Sequence, residues 1–244
     1  TSHVLHEDAH REAAAHARED AIALRDIPRE ILSARTAVWS YLGSGFQMFT
    51  VGAMLAWLPS FLNRHRDMPP AEAALSAGIL TLLAGVGMIL GGVLVDVVSR
   101  REPHRRPLVI ACYAFLSCVL LVIAFRLPPD TLQLVLLGAG MFLAGGHAGP
   151  TGAIATSVTN PRLHATVLAT GTLANNVLGL APGPLLTGVL ADSFDLGTAL
   201  GLVPFASLLA AACFTMARRH HDADVARIAQ AHSSSSIEAL EEIA

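Results

Sequence analysis

GVGMILGGVLVDVVSRREPHRR, residues 85–106, is the stretch on which the reading of this chain turns. It starts as a glycine-studded apolar run, admits one carboxylate at Asp96, and ends among four arginines, Arg100, Arg101, Arg105 and Arg106. An apolar segment that gives way abruptly to arginine has the pattern of a helix leaving a bilayer on its cytoplasmic side. Asp96 then falls at the headgroup boundary, where an arginine or a helix end can meet its charge.

Composition agrees with a membrane setting. Of 244 residues, 53% are hydrophobic and only 14% charged, whereas a soluble domain carries roughly 25% charged residues. All 16 basic residues are arginine. The net charge of −3 says little about partners, because the placement of charge matters more than its sum. Cys112, Cys118 and Cys213 lie in apolar runs. An odd count without a CxxC gives no disulfide or zinc framework, so they read as small buried hydrophobes. The chain has no GxGxxG opening a βαβ unit, no Walker loop and no HExxH, so soluble enzyme classes find no footing. No basic stripe offers a nucleic-acid surface. Neither a cofactor nor a metal is expected.

Outward from the opening stretch, apolar runs recur at lengths that suit a bilayer crossing, which needs about 20 residues. Six spans are expected, at 36–62, 71–98, 107–125, 131–158, 165–190 and 196–217. Residues 1–35 form a polar lead-in, a linker or tail. Its histidines His3, His6, His10 and His16 read as solvated, because no spacing gathers three ligands on one face. Residues 23–35 are amphipathic enough to lie along the interface. The chain opens on Thr1, which suggests either a fragment or processed chain or the simple removal of a start methionine. Residues 220–244 read as a solvated tail with a serine run and an acidic end.

Within the spans, a few residues stand out. Trp39, Tyr41 and Trp57 are plausible interfacial anchors of the first span. Gly87-x-x-x-Gly91 has the spacing that lets helices approach closely in lipid, either for packing alone or for packing that also permits rocking. The fourth span carries Pro150 and an intramembrane histidine, His147. Such a histidine is either a functional group or one hydrogen-bonded to a neighbouring helix. The fifth span contains the adjacent amides Asn175 and Asn176, which point in different directions, and the pair Pro182 and Pro184. The prolines predict a bent or locally unwound helix of the kind that lines a transporter cavity. Thr50, His147, Asn175 and Asn176 are the expected cavity residues, and Pro150, Pro182 and Pro184 the expected helix breaks.

Orientation follows from arginine placement. With six spans, one side holds Arg11, Arg18, Arg25, Arg29, Arg35, the four arginines of 100–106, Arg162, Arg218, Arg219 and Arg227, thirteen in all. The other side holds three, Arg64, Arg66 and Arg126. Both termini and the Asp96 loop are therefore expected in the cytoplasm.

The run from Gly92 to Arg101 resembles the loop motif of the major facilitator superfamily, G-x-L-x-D-x-x-G-R/K-R/K. Gly92, Asp96, Arg100 and Arg101 match it, and Ser99 stands where the motif has glycine, which is expected to make the turn less permissive. The fifth span is similar to the eleventh helix of Spinster-like members, with Gly183, Pro184, Gly188 and Asp192 in place of a G-P-x-x-x-G-x-x-x-D pattern and Ala181 where a further glycine is common. The resemblance implies an all-α transmembrane six-helix bundle, the C-terminal half of a facilitator fold, in a membrane expected to be the bacterial inner membrane. It implies secondary transport by alternating access, with an amphipathic substrate such as a lysophospholipid or sphingoid lipid, and possible proton coupling. Sugars, drugs or organic anions are the alternative substrates, and a non-transporting membrane scaffold the alternative function. Asp96, with Arg100 or Arg101 or with a helix N-terminus of the partner half, is implied as a gate.

A facilitator needs two six-helix bundles, and this chain has one. The expected partners are therefore an N-terminal six-helix bundle, the lipid bilayer and a small-molecule or lipid substrate. The missing half is part of the same protein, a separate polypeptide, or a second copy of this chain.

Overall fold

The computed structural model describes residues 32–241. The four early histidines, most of the amphipathic lead-in and the last three residues lie outside that range. Six helical rods among the described residues are long and apolar enough to cross a membrane, and together they make an all-α bundle.

The first three rods are unbroken: α1 (Arg35–His65), α2 (Pro70–Ser99) and α3 (Arg106–Ala124). Pro70 and Pro107 sit in the first turns of α2 and α3, where a missing N–H costs no helix hydrogen bond. The fourth rod is α4 (Thr131–Gly145) followed by α5 (Ala148–Ser157). Asp130 caps α4 by accepting the Gln133 amide at 3.0 Å. The fifth rod is α6 (His164–Asn175), a π-helical turn (Asn176–Leu180) and α7 (Pro182–Ser193). The sixth is α8 (Leu196–Leu202), then α9 (Phe205–Glu241), with the break at Val203 and Pro204.

The proline breaks follow one rule. Pro150 falls in the first turn of α5, so the helix yields just ahead of it, at Gly146 and His147, instead of kinking around it. Ahead of Pro182 the chain widens into the π turn, and the Ala181 amide reaches back five residues to the Asn176 carbonyl at 3.0 Å. A proline removes a donor and crowds the preceding turn, and one wider turn relieves both effects.

Glycines set two close crossings. A Cβ at Gly87 would overlap the Phe142 carbonyl of α4, and one at Gly91 would come within 2.6 Å of the Gly146 Cα. The small-residue spacing of α2 thus serves its crossing with the fourth rod. Gly179 and Gly183 lie as close to the backbone of α1, where an added Cβ would come within 2.6 Å of the carbonyls of Gly45 and Phe49 respectively.

Three expectations change. Tyr41 and Trp57 are not free interfacial anchors: the Tyr41 hydroxyl donates to the Val167 carbonyl at 3.0 Å, and the Trp57 indole N–H donates to that of Pro184 at 2.9 Å. Both tie α1 to the fifth rod, because their rings reach a neighbouring helix whose carbonyls they can satisfy. Cys112 is exposed on the outside of α3, while Cys118 and Cys213 are buried. The segment after residue 219 continues as helix through Glu241 rather than leaving as a tail, and its first turns dock against the start of α1.

Two rods are thinly covered. In α2 and in the fifth rod, only 28% and 17% of the most apolar window is buried, against 44–50% in the other four. Their outward residues include Leu82, Ile89, Val93 and Val97 on α2 and Leu173, Val177, Leu185 and Val189 on the fifth rod.

Candidate functional site

The arginine loop connects α2 to α3 and is compact. Asp96 lies in the last full turn of α2 and Arg106 opens α3, which brings Arg106 Nη2 to 3.5 Å from Asp96 Oδ1. The partner of Asp96 within this chain is therefore Arg106, not Arg100 or Arg101, both of which are exposed beyond the end of α2. The chain reverses over residues 100–105 and α3 starts beside the end of α2, which returns Arg106 to the level of Asp96. Glu102 completes the loop by pairing with Arg105 and, at 3.4 Å, with His104. Ser99, where the motif has glycine, has no positive φ, so serine is not strained there. It is fully buried, and small size is what its position requires.

The Asp96 side chain is 65% exposed even with Arg106 beside it. An ion pair so open to solvent contributes about 0–1 kcal/mol. The carboxylate is free to take a second partner at little cost.

The second region is a partly open cavity of about 130 Å³ lined by α1, α5 and α6. Its polar lining is neutral: Tyr41 and Ser44 from α1, Thr151 from α5, and Thr172 and Asn175 from α6. Two hydroxyls are already committed to their own helices, Thr151 to the His147 carbonyl at 2.7 Å and Thr172 to that of Leu168 at 3.0 Å. Asn175 Oδ1 is buried without a hydrogen-bond partner. An unmade bond at a buried oxygen costs about 1–3 kcal/mol, so this atom gains from any donor that reaches it.

The two adjacent amides separate. Asn175 lines the cavity, while Asn176 is exposed and donates to the Thr172 carbonyl of its own helix at 2.8 Å. His147 is fully buried at the break between α4 and α5, with Nδ1 2.8 Å from the Ala144 carbonyl, and it does not line the cavity. Thr50 is also turned away from it. Its hydroxyl meets Ser207 Oγ at 2.9 Å and the Val203 carbonyl at 3.4 Å, which pins α1 to the α8–α9 break. Its place on α1 gives the reason: one helical face meets the sixth rod, and Thr50 is on it. Of the four expected cavity residues, Asn175 is the one that lines this pocket.

Sequence reasoning passed over Ser44, Thr151 and Thr172, because hydroxyls in a span usually bond back to their own helix and carry no signal of direction. Gln47 was also missed, although a glutamine in the middle of a span is a polar signal in its own right. It is fully buried on α1, and both its amide atoms lack partners. Among the described residues, no group of three His, Cys, Asp or Glu side chains gathers as a metal site would.

The sequence profile of the Major Facilitator Superfamily matches residues 4–182. Human protein spinster homolog 3 is 32% identical over 169 residues, covering 64% of this chain and 33% of that protein. A sphingosine-1-phosphate transporter of Xenopus tropicalis is 26% identical over 213 residues, 76% of this chain and 41% of that protein. A D-galactonate transporter of Escherichia coli is 25% identical over 187 residues, 75% and 42% of the two chains. The chain thus spans about a third to two-fifths of the length of these relatives. Its fold matches that of a bacterial homolog of the human lysosomal transporter Spinster in an inward-facing, unoccupied conformation, with a TM-score of 0.74 and 18% identity over 83% of this chain and 51% of that one. With a family match over most of its length and six rods built to cross a bilayer, this membrane protein belongs to the major facilitator superfamily.

Proposed function

We propose that this chain is the C-terminal bundle of a secondary transporter that works by alternating access. The observation that carries the reading is the neutral polar cavity between α1, α5 and α6, beside helices broken at Gly146–His147 and at the π turn. Transporters place such breaks where backbone lines a path. A scaffold has no need of a buried, unpartnered amide oxygen at Asn175.

The partner is a second six-helix bundle, which covers the bare faces of α2 and the fifth rod. The side carrying the arginine loop faces the cytoplasm, and the membrane is a bacterial inner membrane. Asp96 is a latch to that partner: already exposed, it trades Arg106 for a donor on the other bundle when this side closes.

The substrate is an amphipathic lipid, such as a lysophospholipid or a sphingoid base. The Spinster relatives support this, and so does the wall itself. It offers hydroxyls and one amide, with no arginine to receive the carboxylate of a sugar acid. A cavity of about 130 Å³ holds a fragment of a headgroup, and the second bundle completes it. The test is flux into proteoliposomes holding both bundles, with labelled lysophospholipid and sphingosine set against galactonate and a drug panel. Uptake of galactonate without either lipid would overturn the substrate class.

A further inference from the structure

The start of α1 has an unusual weakness. Its N-cap position is Ala34, which has no side chain able to cap. The first amides of a helix have no partner within it and usually rely on Ser, Thr, Asp or Asn at that place. Here the acceptor comes from the far end of the chain. Asp224 Oδ2, on α9, accepts the Thr36 amide at 2.7 Å, and Asp224 is almost fully buried. Thr36 is the second residue of α1, the position whose N–H an ordinary N-cap side chain would take.

Other contacts surround this one. Arg227 Nη1 donates to Ser33 Oγ at 2.5 Å, just ahead of the helix. The Thr36 hydroxyl reaches the Ala217 carbonyl at 3.5 Å. Ala34, Thr36 and Ala217 are all fully buried at this junction. The acidic side chain sits where the helix macrodipole favours negative charge. Asp224 and Arg227 lie on the part of α9 that follows Arg218 and Arg219, beyond the apolar run.

We infer that the extension of α9 past Ala217 is a clasp on α1, with Asp224 as the N-cap of α1 and Arg227 as the tie to the chain leading into it. The clasp fixes where the preceding chain joins the bundle, and it makes α1 and α9 one lever at this end. Asp224 is a positioning residue: Tyr41 and Ser44, which line the cavity, lie within the next two and a half turns of α1, so their placement depends on a well-seated first turn. That last step rests on the transport reading; the clasp itself does not.

Hydrogen exchange of the whole protein in lipid nanodiscs tests the clasp directly. In Asp224→Ala, the Thr36 amide should exchange about fivefold faster, the ratio expected for loss of a cap of ordinary strength. Asp224→Asn, which keeps an acceptor oxygen, should recover most of the protection. Arg227→Ala keeps the cap and should loosen only the residues before Thr36, which gives a milder variant if Asp224→Ala folds poorly. Unchanged exchange at Thr36 in Asp224→Ala overturns the clasp. Flux tests the positioning step separately: Asp224→Ala should lower turnover several-fold, with rescue by Asn. Lost protection with full turnover would overturn positioning while leaving the clasp in place. If the unsubstituted protein moved no solute, the transport reading would fail and the exchange result would still decide the clasp.

Discussion

The two ends of the bundle are built on different plans, although the same six rods run through both. At the end away from the arginine loop, α1 enters a continuous apolar core of Met54, Leu58, Phe61 and Leu62 with Leu80, Leu121, Leu137 and Leu200. Phe61 stacks on His65 at 4.7 Å and meets Phe125 edge-on at 5.1 Å. The loops there are tied as well: Arg66 donates to the Asp130 carbonyl at 2.8 Å and to Gln133 Oε1 at 3.0 Å, and Gln133 donates to the carbonyls of Ala124, at the end of α3, and of Leu127 in the loop. The hydroxyl and amide of Thr198 donate to Asp195 and hold its carboxyl below the usual range, so it caps α8 as an anion. Towards the arginine end, α1 presents Ser40, Ser44 and Gln47, and the cavity opens beside it. Buried side-chain atoms without partners collect from mid-bundle towards that end, at Ser40, Gln47, Ser99, Tyr113, His147 and Asn175, while the opposite end has Arg66 Nε. One end is packed to completion. The other keeps polar groups whose bonds are made only with something further.

The largest effect should come from the packed end. Phe61→Ala removes a fully buried ring and should cost about 3–5 kcal/mol, by analogy with core aromatic truncations. It should lower the midpoint of thermal unfolding in detergent far more than Ser44→Ala does. Equal losses at the two positions would erase the contrast between the ends. Next comes the crossing that carries the fifth rod past α1. Gly179→Ala places a methyl 2.6 Å from the Gly45 carbonyl and should cost about 1–3 kcal/mol through forced separation of the helices. The same unfolding measurement reads it, with Gly85→Ala as the control, since open space surrounds Gly85.

How much of this was visible beforehand depends on the kind of interaction. The six rods were legible, because an apolar run and its arginine or proline stops act locally along the chain, but the end of the sixth was not, since its helix runs on past Arg218 and Arg219. The prolines marked the breaks within a few residues, but placed the yield point at the proline, not ahead of it. What a given polar residue faces was not legible. Thr50 and Ser44 are both small hydroxyls on α1, yet one faces Ser207 and the other the cavity, and only the packing of α9 and α6 around α1 separates them. The Asp96–Arg106 pair was hidden for the same reason: it closes across a turn, and the nearer arginines in sequence point elsewhere.

A smaller effect, on function and not on stability, is expected at the cavity. Asn175→Ala removes a buried oxygen that has no partner within the chain. It should leave the unfolding midpoint nearly unchanged, because no bond is lost within the chain. A solute that uses this oxygen should lose about 1–1.5 kcal/mol, roughly a tenfold fall in kcat/KM. Asn176→Ala, on the exposed side of the same helix, should not reproduce it. If Asn176→Ala matched or exceeded it, the cavity would have been assigned to the wrong face.

At Asp96, too, the change in stability should be small. Its pair with Arg106 is open to solvent, so Asp96→Ala should move the unfolding free energy by no more than about 1 kcal/mol. If the carboxylate latches to a second bundle, the same substitution should still shift the balance between inward-open and outward-open forms by about tenfold, since a charge-assisted bond contributes about 1.5–3 kcal/mol in the form that makes it, against about 0–1 kcal/mol from the Arg106 pair in the other. Cysteine accessibility on the two faces of the reconstituted protein measures that balance. Arg106→Ala separates the two bonds: it removes the internal partner and leaves the latch, so it should push the balance towards the closed form at the arginine end, opposite to Asp96→Ala. Two substitutions of one ion pair that shift the balance in opposite directions would mark Asp96 as exchanged between partners, whereas shifts in the same direction would confine its role to the α2–α3 loop.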